Sequence, residues 1–389
     1  MNDEASQHME RTAHSRRLWR RLVWACVVAV TLLVGFGGYQ TYRDIALRIR
    51  IRGVDGDLFL QDNSPEWVKK HLPAVCRVFF THIDGVELGP RERLIILNDL
   101  RWENITQVGF VGGAVTDQEA SLITQAQALE IVNFEGCSSI PPQVYQSLSE
   151  MHSLNALLVS EGTIHLSDLA ILKHMTSLKS LFINDCQVIC DDQLTADNFP
   201  EILTLDLAGC QFSNQSLSAF LGLGETCRTI DLENTNVTDT GLATLEQFNN
   251  LTYLRLDKTS VTDRGILHLQ HLKNLEALRL NECSVRGASL DKLKSIGNLK
   301  SLMLTDTDLN DDGMKALSSM TLLEELYLDG TPMTDIGLQE LNSLHHLKLL
   351  SLYETSVSQQ GIERLLKSNP INEVKAEHGY WWGGTFEPW

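Results

Sequence analysis

The sequence lacks the short motifs that mark common catalytic sites. It has no GxSxG turn for a nucleophilic serine, no glycine-rich phosphate loop and no HExxH helix for a catalytic zinc. Its cysteines form no CxxC pair with a matching histidine, which is the spacing expected of a structural zinc site. These absences predict a protein that is not an enzyme and that uses no cofactor or metal.

Basic residues are scarce after the first 52 residues. The first 52 residues hold nine Lys/Arg and four Asp/Glu, whereas the rest of the 389-residue chain holds 23 and 46. A nucleic-acid surface needs clustered basic residues that displace phosphate counterions, so this composition argues against nucleic acid as a partner. The excess of acidic residues instead favours a basic protein or peptide as a partner.

One uncharged apolar run, residues 22–39, is long enough to cross a bilayer, which takes roughly 17–25 apolar residues. The basic segment before it, 1–21, is predicted to stay in the cytoplasm, because basic residues favour that side. We therefore predict a single transmembrane helix with the rest of the chain outside the cytoplasm, although Arg43 and Arg48 on the far side compete with this orientation. The alternative is a secretory signal peptide that is removed by cleavage.

From Cys227 to Pro370 the sequence repeats every 24 residues through six consecutive units, without insertion or deletion. The shared pattern is LxxLxLxxTxVTDxGLxxLxxLxx. Its apolar residues at positions 1, 4 and 6 recur upstream in five further units, which start at Ile105, Leu129, Leu154, Leu178 and Ile202. Residues 75–104 fit a degenerate twelfth unit. Such periodicity predicts a solenoid in which each unit packs on its neighbours.

The physics of one unit explains the pattern. In the unit that starts at Leu251, Leu254 and Leu256 point inward because side chains alternate along a strand. Thr262 or Asp263 can then cap a short helix, GILHLQHL, whose apolar residues recur at helical spacing. A lone unit cannot bury these leucines, so the units must stack into one domain.

The repeated phrase resembles the leucine-rich repeat, in the TDxGL-bearing variant of bacterial repeat proteins and, with longer units, of F-box adaptors. The resemblance implies an α/β solenoid over 75–370, with a parallel strand ladder on the concave face and short helices on the convex face. It also implies that position 9 turns inward, so that Cys137, Cys186, Cys210 and Cys283 are core residues rather than disulfide partners. Overall the chain is similar to membrane-anchored bacterial leucine-rich repeat proteins of unassigned function.

Both ends of the repeat region are predicted to be capped. Residues 40–74 form a linker and N-terminal cap that includes Trp67 and Leu72. The C-terminal segment 371–389 is rich in aromatic residues, which are predicted to cover the leucines of the last unit. They are Tyr380, Trp381, Trp382, Phe386 and Trp389. The alternative for this segment is an exposed patch that binds a partner or a glycan.

The outward side of the strand ladder is the candidate binding surface, because packing does not dictate its residues. It carries columns of acids crossed by a basic pair, with tyrosines of the kind enriched at interfaces. The predicted partner-binding residues are Asp206, Asp231, Glu233, Tyr253, Arg255, Asp257, Arg279, Glu282, Asp306, Tyr327, Asp329 and Tyr353. Two alternatives are a solvated sheet face whose arginines relieve acidic repulsion, and a calcium site in the acidic columns.

Two functions follow from these observations. The first is a single-pass membrane protein that binds another protein or peptide through an acidic concave face. A basic ligand would suit such a face. The second is an intracellular substrate adaptor of the F-box kind, although no convincing F-box is present. His268 and His271, three residues apart on a helix, are interpreted as solvent-facing residues because a third metal ligand is missing.

Overall fold

The structure is a computed structural model. It describes residues 56–62, 81–88, 90, 94, 97–98, 102, 105–190, 199–377, 379–382 and 385–387. The predicted tail at 1–21, the transmembrane helix at 22–39, and Trp67 and Leu72 of the N-terminal cap lie outside the described residues. In the part of the chain that is described, no helix has both the length and the apolar character that a membrane span requires.

The chain divides into two compact units, Met1–Ile105 and Thr106–Trp389. The first unit contains an antiparallel strand pair, β1 (Gly56–Asp62) and β2 (Thr81–Leu88), with a register shift between Phe59 and Leu60. Strand β2 lies in the segment predicted as a degenerate twelfth repeat. Its antiparallel pairing differs from the parallel pairing expected of a repeat strand.

The second unit contains the strand ladder. Its strands up to Leu352 are β3 (Gln107–Val111), β4 (Ile131–Glu135), β5 (Ala156–Ser160), β6 (Thr163–His165), β7 (Ser180–Asn184), β8 (Gln187–Ile189), β9 (Thr204–Asp206), β10 (Thr229–Asp231), β11 (Tyr253–Arg255), β12 (Ala277–Arg279), β13 (Ser301–Met303), β14 (Glu325–Tyr327) and β15 (Leu349–Leu352). Strands β6 and β8 pair with each other in a separate small sheet. The others form the ladder, one strand for each of the eleven clear repeats.

Neighbouring strands of the ladder pair in parallel, so that residues one repeat apart lie side by side, as Ile230, Leu254 and Leu278 do. The inward leucines are excluded from solvent; Leu254 and Leu256 are both 0% exposed. Burying one such side chain stabilises the fold by about 1.5–3 kcal/mol. The predicted leucine-rich repeat solenoid with a parallel ladder is therefore confirmed.

Short helices close each coil on the side opposite the ladder. The α-helices are α1 (Asp117–Ile123), α2 (Pro142–Ser149), α3 (Leu166–Leu169), α4 (Asp239–Leu242), α5 (Asp263–Leu269), α6 (Asp311–Leu317), α7 (Asp335–Leu338) and α8 (Gln359–Ser368). The 3₁₀ segments are Ala170–His174, Asn214–Leu223, Ala243–Gln247, Leu290–Ser295 and Gln339–Ser343. Thr262 is the N-cap of α5, and its hydroxyl accepts a hydrogen bond from the Arg264 amide at 3.2 Å.

The TDxG part of the repeat joins each coil to the next. The Asp311 carboxylate accepts hydrogen bonds from the backbone amides of Thr334 at 2.8 Å and Gly337 at 2.9 Å, and from the Thr334 hydroxyl at 2.7 Å. A Cβ on Gly337 would lie 2.5 Å from Asp311 Oδ1, so glycine leaves room for the carboxylate. Asp239 and Asp335 bond to the following coil in the same way. The TDxG residues thus supply hydrogen bonds that hold each coil of the solenoid to the next.

Position 9 of the repeat is a buried corner where threonine and cysteine use different hydrogen bonds. The Thr331 hydroxyl donates to the Leu328 carbonyl of its own repeat at 2.6 Å. The Cys283 thiol donates instead to the Leu256 carbonyl of the preceding repeat at 3.0 Å. Both choices satisfy a carbonyl of the same repeat position without an unpaired buried group. Cys137, Cys186 and Cys210 are buried at this position too and donate to the preceding repeat in the same way.

The ladder ends in antiparallel strands. Strand β16 (Glu373–Ala376) continues the parallel pairing, and β17 (Gly379–Trp382) and β18 (Thr385–Glu387) then pair antiparallel. Trp381 pairs with Val374 and is only 2% exposed, so its indole is part of the core. Trp389 lies outside the described residues.

Candidate binding surface

The outward side chains of β3 to β16, at repeat positions 3, 5 and 7, form a continuous surface that we call the ladder face. Position 5 illustrates it, because its residues stand side by side along the whole ladder at a spacing of about 4.8 Å. From β9 to β16 they are Asp206, Asp231, Arg255, Arg279, Met303, Tyr327, Ser351 and Lys375. Ten of the twelve predicted binding residues occupy positions 3, 5 or 7 and therefore lie on this face; Glu282 and Asp306, at position 8, do not.

Arg255 is the centre of an ion-pair network on this face. Its guanidinium lies 2.8 Å from the Asp257 carboxylate and 3.3 Å from that of Asp231, and it also contacts Glu233. Partial burial opposes the positive charge, but these carboxylates raise the pKa of Arg255 above its usual value. Arg255 thus offsets much of the negative charge that the sequence places around it.

Asp257 is buried, and its carboxylate is fully used inside the protein. Its side chain is 3% exposed and its Oδ2 accepts from the guanidinium of Arg279 at 2.7 and 2.9 Å as well as from Arg255. Its Oδ1 accepts the backbone amide of Asn281 at 2.9 Å. Among the predicted binding residues, the Asp257 carboxylate therefore holds two successive repeats together and offers little surface to a ligand.

The acids at the ends of several strands accept backbone amides. Asp231 Oδ1 accepts the Glu233 amide at 2.8 Å, and Asp206 Oδ1 accepts the Ala208 amide at 3.0 Å. Asp329 Oδ1 accepts the Tyr353 amide at 2.7 Å. One carboxylate oxygen of each residue is thus committed to the corner that follows the strand.

Glu282 and Asp306 lie at that corner rather than on a strand. Both are exposed and have positive φ angles of 56° and 55°, a conformation that costs most residues about 1 kcal/mol. Glu282 lies 3.5 Å from Lys258, which also lies 3.8 Å from Glu233. These two acids are more accessible than Asp257.

The three predicted tyrosines are half-buried on the ladder face. Tyr327 stands beside Met303 in register, which gives this part of the face an apolar surface. Burial raises the pKa of Tyr327, and the charge of Glu325 raises it further. Part of each of the large side chains of Tyr253, Tyr327 and Tyr353 is therefore exposed, and the rest is buried.

Several half-buried apolar residues on the same face were not among the predicted binding residues, including Val111 on β3 and Leu349 on β15. Ile131, Leu158 and Phe182 are three more, on β4, β5 and β7. The list of candidates began at Asp206, just before the regular 24-residue units. The signal was present nonetheless, because Leu158 and Phe182 occupy the repeat position of Asp206 and Arg255.

The two candidate histidines do not converge, because α5 ends at Leu269 and only His268 lies on it, whereas the sequence predicted both on one helix. His268 Nδ1 lies 2.5 Å from Glu246 of the preceding repeat, and His271 is exposed. Over the described residues, no group of three or more His, Cys, Asp or Glu side chains is placed to hold a metal ion.

Comparisons with known proteins place the chain by its fold. No protein-family model matches it, and no curated protein matches it. An internalin from Listeria monocytogenes superposes with a TM-score of 0.52 at 15% identity, over 80% of this chain and 92% of the internalin. The plant peptide hormone receptor RGFR1, in complex with RGF2, gives a TM-score of 0.46 at 14% identity over 72% of this chain, which spans 44% of the receptor chain. At these identities the internalin shows a shared fold.

Proposed function

Because the chain folds as a leucine-rich repeat solenoid, we propose that it is a non-catalytic binding protein whose ladder face holds a protein or peptide ligand. In this proposal residues 22–39 anchor it in a membrane and the repeats lie outside the cytoplasm. The observation that carries the binding role is that inward residues repeat from unit to unit whereas their outward neighbours do not.

Positions 4 and 5 show this contrast side by side. Position 4 is leucine in five successive repeats, and each of these leucines is 0% exposed: Leu254, Leu278, Leu302, Leu326 and Leu350. The adjacent position 5 varies across the same repeats: it is Arg255, Arg279, Met303, Tyr327 and Ser351. Stacking requires the first set and does not dictate the residue type of the second, although Ser351 is 3% exposed and donates to Asp329. An extended surface of such variable outward positions is what repeat solenoids use for binding.

The ion pairs refine the expected ligand. Arg255, Arg279 and Lys258 offset most of the acids of β10 to β12, so that part of the face is mixed in charge rather than strongly acidic. Attraction of a basic ligand must then depend on acids elsewhere on the face. The tyrosines and Met303 supply contact area of the kind that dominates interface energetics.

Site-specific photocrosslinking in the native membrane tests the binding role. A crosslinking residue at Tyr253 or Tyr327 should capture a discrete partner. The matched control is Ile336 on α7, which is 68% exposed but lies on the helical side, so it should give no such product. Identical products from all three positions, or none from the ladder positions, would refute the proposal.

Protease treatment of intact cells tests the location. Digestion of the repeats with survival of a membrane-embedded N-terminal fragment agrees with an anchored, extracytoplasmic domain. Complete protection of the repeats would instead favour the intracellular adaptor.

A further inference from the structure

The ladder face changes character along its length. In the described residues from β3 to β9, its outward positions carry no Lys, Arg or His, whereas Arg255, Lys258 and Arg279 follow in the next repeats. The early repeats also carry the half-buried apolar residues Ile131, Leu158 and Phe182, as the later ones carry Met303 and Tyr327. The two sections therefore differ chiefly in charge balance.

The apolar residues of the early section form one patch. Ile131 pairs across the ladder with Ala156, and Leu158, two residues further on the same face of β5, pairs with Phe182. Phe182 in turn pairs with Asp206. Since neighbouring strands are about 4.8 Å apart, Leu158 and Phe182 stand side by side and Ile131 lies diagonally from Leu158.

Carboxylates without ion pairs border this patch. Among the described residues, no Lys, Arg or His lies within ion-pair distance of Glu135, Glu161, Asp185 or Asp206. Asp206 receives hydrogen bonds from neutral groups only, the Asn184 amide at 2.7 Å and a backbone amide. Burial, with the nearby charge of Asp231, raises the pKa of Asp206, so its carboxylate charge is not fully compensated.

We propose that this section of the ladder face binds an extended segment of a partner protein in which a large apolar residue is followed, two residues later, by Lys or Arg. The inference rests on the proposed function and names its ligand class. The apolar residue covers Leu158 and Phe182, and the cation reaches Asp206. Charge complementarity selects this occupant over an acidic or wholly apolar one.

The spacing fits an extended chain that crosses the strands. Residues two apart on such a chain face the same way and are separated by about 6.8 Å. Two strand spacings, from Leu158 to Asp206, measure about 9.6 Å. The flexible side chain of a lysine or arginine spans the remaining distance, so its charged end can donate charge-assisted hydrogen bonds to the Asp206 carboxylate.

Peptide binding to the purified full chain in detergent micelles tests the inference by fluorescence anisotropy. The probe is a labelled peptide Leu-Ser-Phe-Ser-Lys-Ser, together with its reverse order. One control peptide has Ser in place of Leu and Phe, and another has Glu in place of Lys. The probe should bind at least tenfold more tightly than either control.

Matched variants locate the site. Leu158→Ser with Phe182→Ser should weaken the probe about tenfold or more. Asp206→Asn should weaken it severalfold and reduce its salt dependence. Met303→Ser, at the same repeat position in the later section, should change affinity less than twofold; Ser351 shows that the fold accepts serine there. Far-UV circular dichroism confirms folding of each variant.

The inference is overturned if the probe does not bind, or if it binds no more tightly than the control peptide with Ser in place of Leu and Phe. It is also overturned if Met303→Ser weakens the probe as much as Leu158→Ser with Phe182→Ser does. If Tyr253 and Tyr327 still capture a partner in that case, the proposed function stands and this site alone is wrong. If they capture nothing, the proposed function fails as well.

Discussion

Replacing Asp257 by alanine tests whether the centre of the ladder face serves stability rather than binding. The substitution removes a carboxylate that accepts hydrogen bonds from both Arg255 and Arg279, and it leaves the Asn281 amide without its acceptor. Asp231 and Glu233 still hold Arg255, but Arg279 keeps no other ion pair within the described residues.

The expected loss follows from the exposure of the partners. Breaking a fully buried ion pair by removing one member costs about 3–5 kcal/mol. Here the arginine side chains are 24% and 27% exposed, so water reaches the stranded charges and lowers the cost. We expect Asp257→Ala to reduce the free energy of unfolding by about 2–4 kcal/mol.

Urea unfolding of the full chain, followed by far-UV circular dichroism, measures this loss. Glu282→Ala is the matched control, because Glu282 is 49% exposed and its ion pair with Lys258 spans 3.5 Å. Such surface pairs contribute roughly 0–1 kcal/mol. If Asp257→Ala unfolds at the same urea concentration as Glu282→Ala, the network does not stabilise the repeats and Asp257 returns to the list of ligand-binding residues.

Substitutions at three further sites, with matched controls, test the contacts of the repeat by the same urea assay. Gly337→Ala places a methyl group 2.5 Å from the Asp311 carboxylate and should cost about 1–3 kcal/mol, whereas Gly297→Ala meets nothing within 4 Å and should be neutral; equal effects would contradict the role of the glycine. Thr331→Cys should cost less than Thr331→Val, because only cysteine can donate to a carbonyl at this corner; the reverse order would show that packing dominates there. Burial favours neutral Asp311, but hydrogen bonds from the next repeat lower its pKa, so its contribution is present above the unfolded-state pKa of about 4 and is lost as the pH falls through the lower folded-state pKa. Asp311→Asn should remove this part of the pH dependence between about pH 7 and pH 3. Asn214, at the equivalent repeat position, shows that asparagine fits there. An unchanged pH profile would contradict the role of the Asp311 carboxylate.

The ladder was predictable because a fixed period assigns every residue to one side of a strand. Once Leu254 and Leu256 are placed inward, Tyr253, Arg255 and Asp257 must face outward. The resemblance to leucine-rich repeats, rather than the alternation itself, placed the cysteines of position 9 at the buried corner. No side-chain geometry was needed for either conclusion.

The hydrogen-bond partners were not predictable in the same way. For the aspartate of the repeat, represented by Asp263, the sequence predicted only a role in capping a helix, whereas the carboxylate of the equivalent Asp311 bonds to Thr334 and Gly337 of the following repeat. Asp257 was placed on the binding surface by its outward position, yet two arginines and a corner amide enclose it. An outward position in a strand does not determine exposure when long neighbours fold over it.

The division of the ladder face follows from the repeat itself. In a regular array, side chains at equivalent positions lie about 4.8 Å apart, so an acid in one repeat is readily paired by a base in the next. Asp231, Arg255 and Asp257 show this cancellation in the 24-residue units. The earlier repeats lack such bases, and Phe182 stands beside Asp206, which has no cation within ion-pair distance among the described residues and feels Arg255 only from two strands away. Stacking alone gives no reason to leave a half-buried phenylalanine beside a carboxylate without an ion-pair partner, so a ligand that satisfies both is the physical explanation we favour.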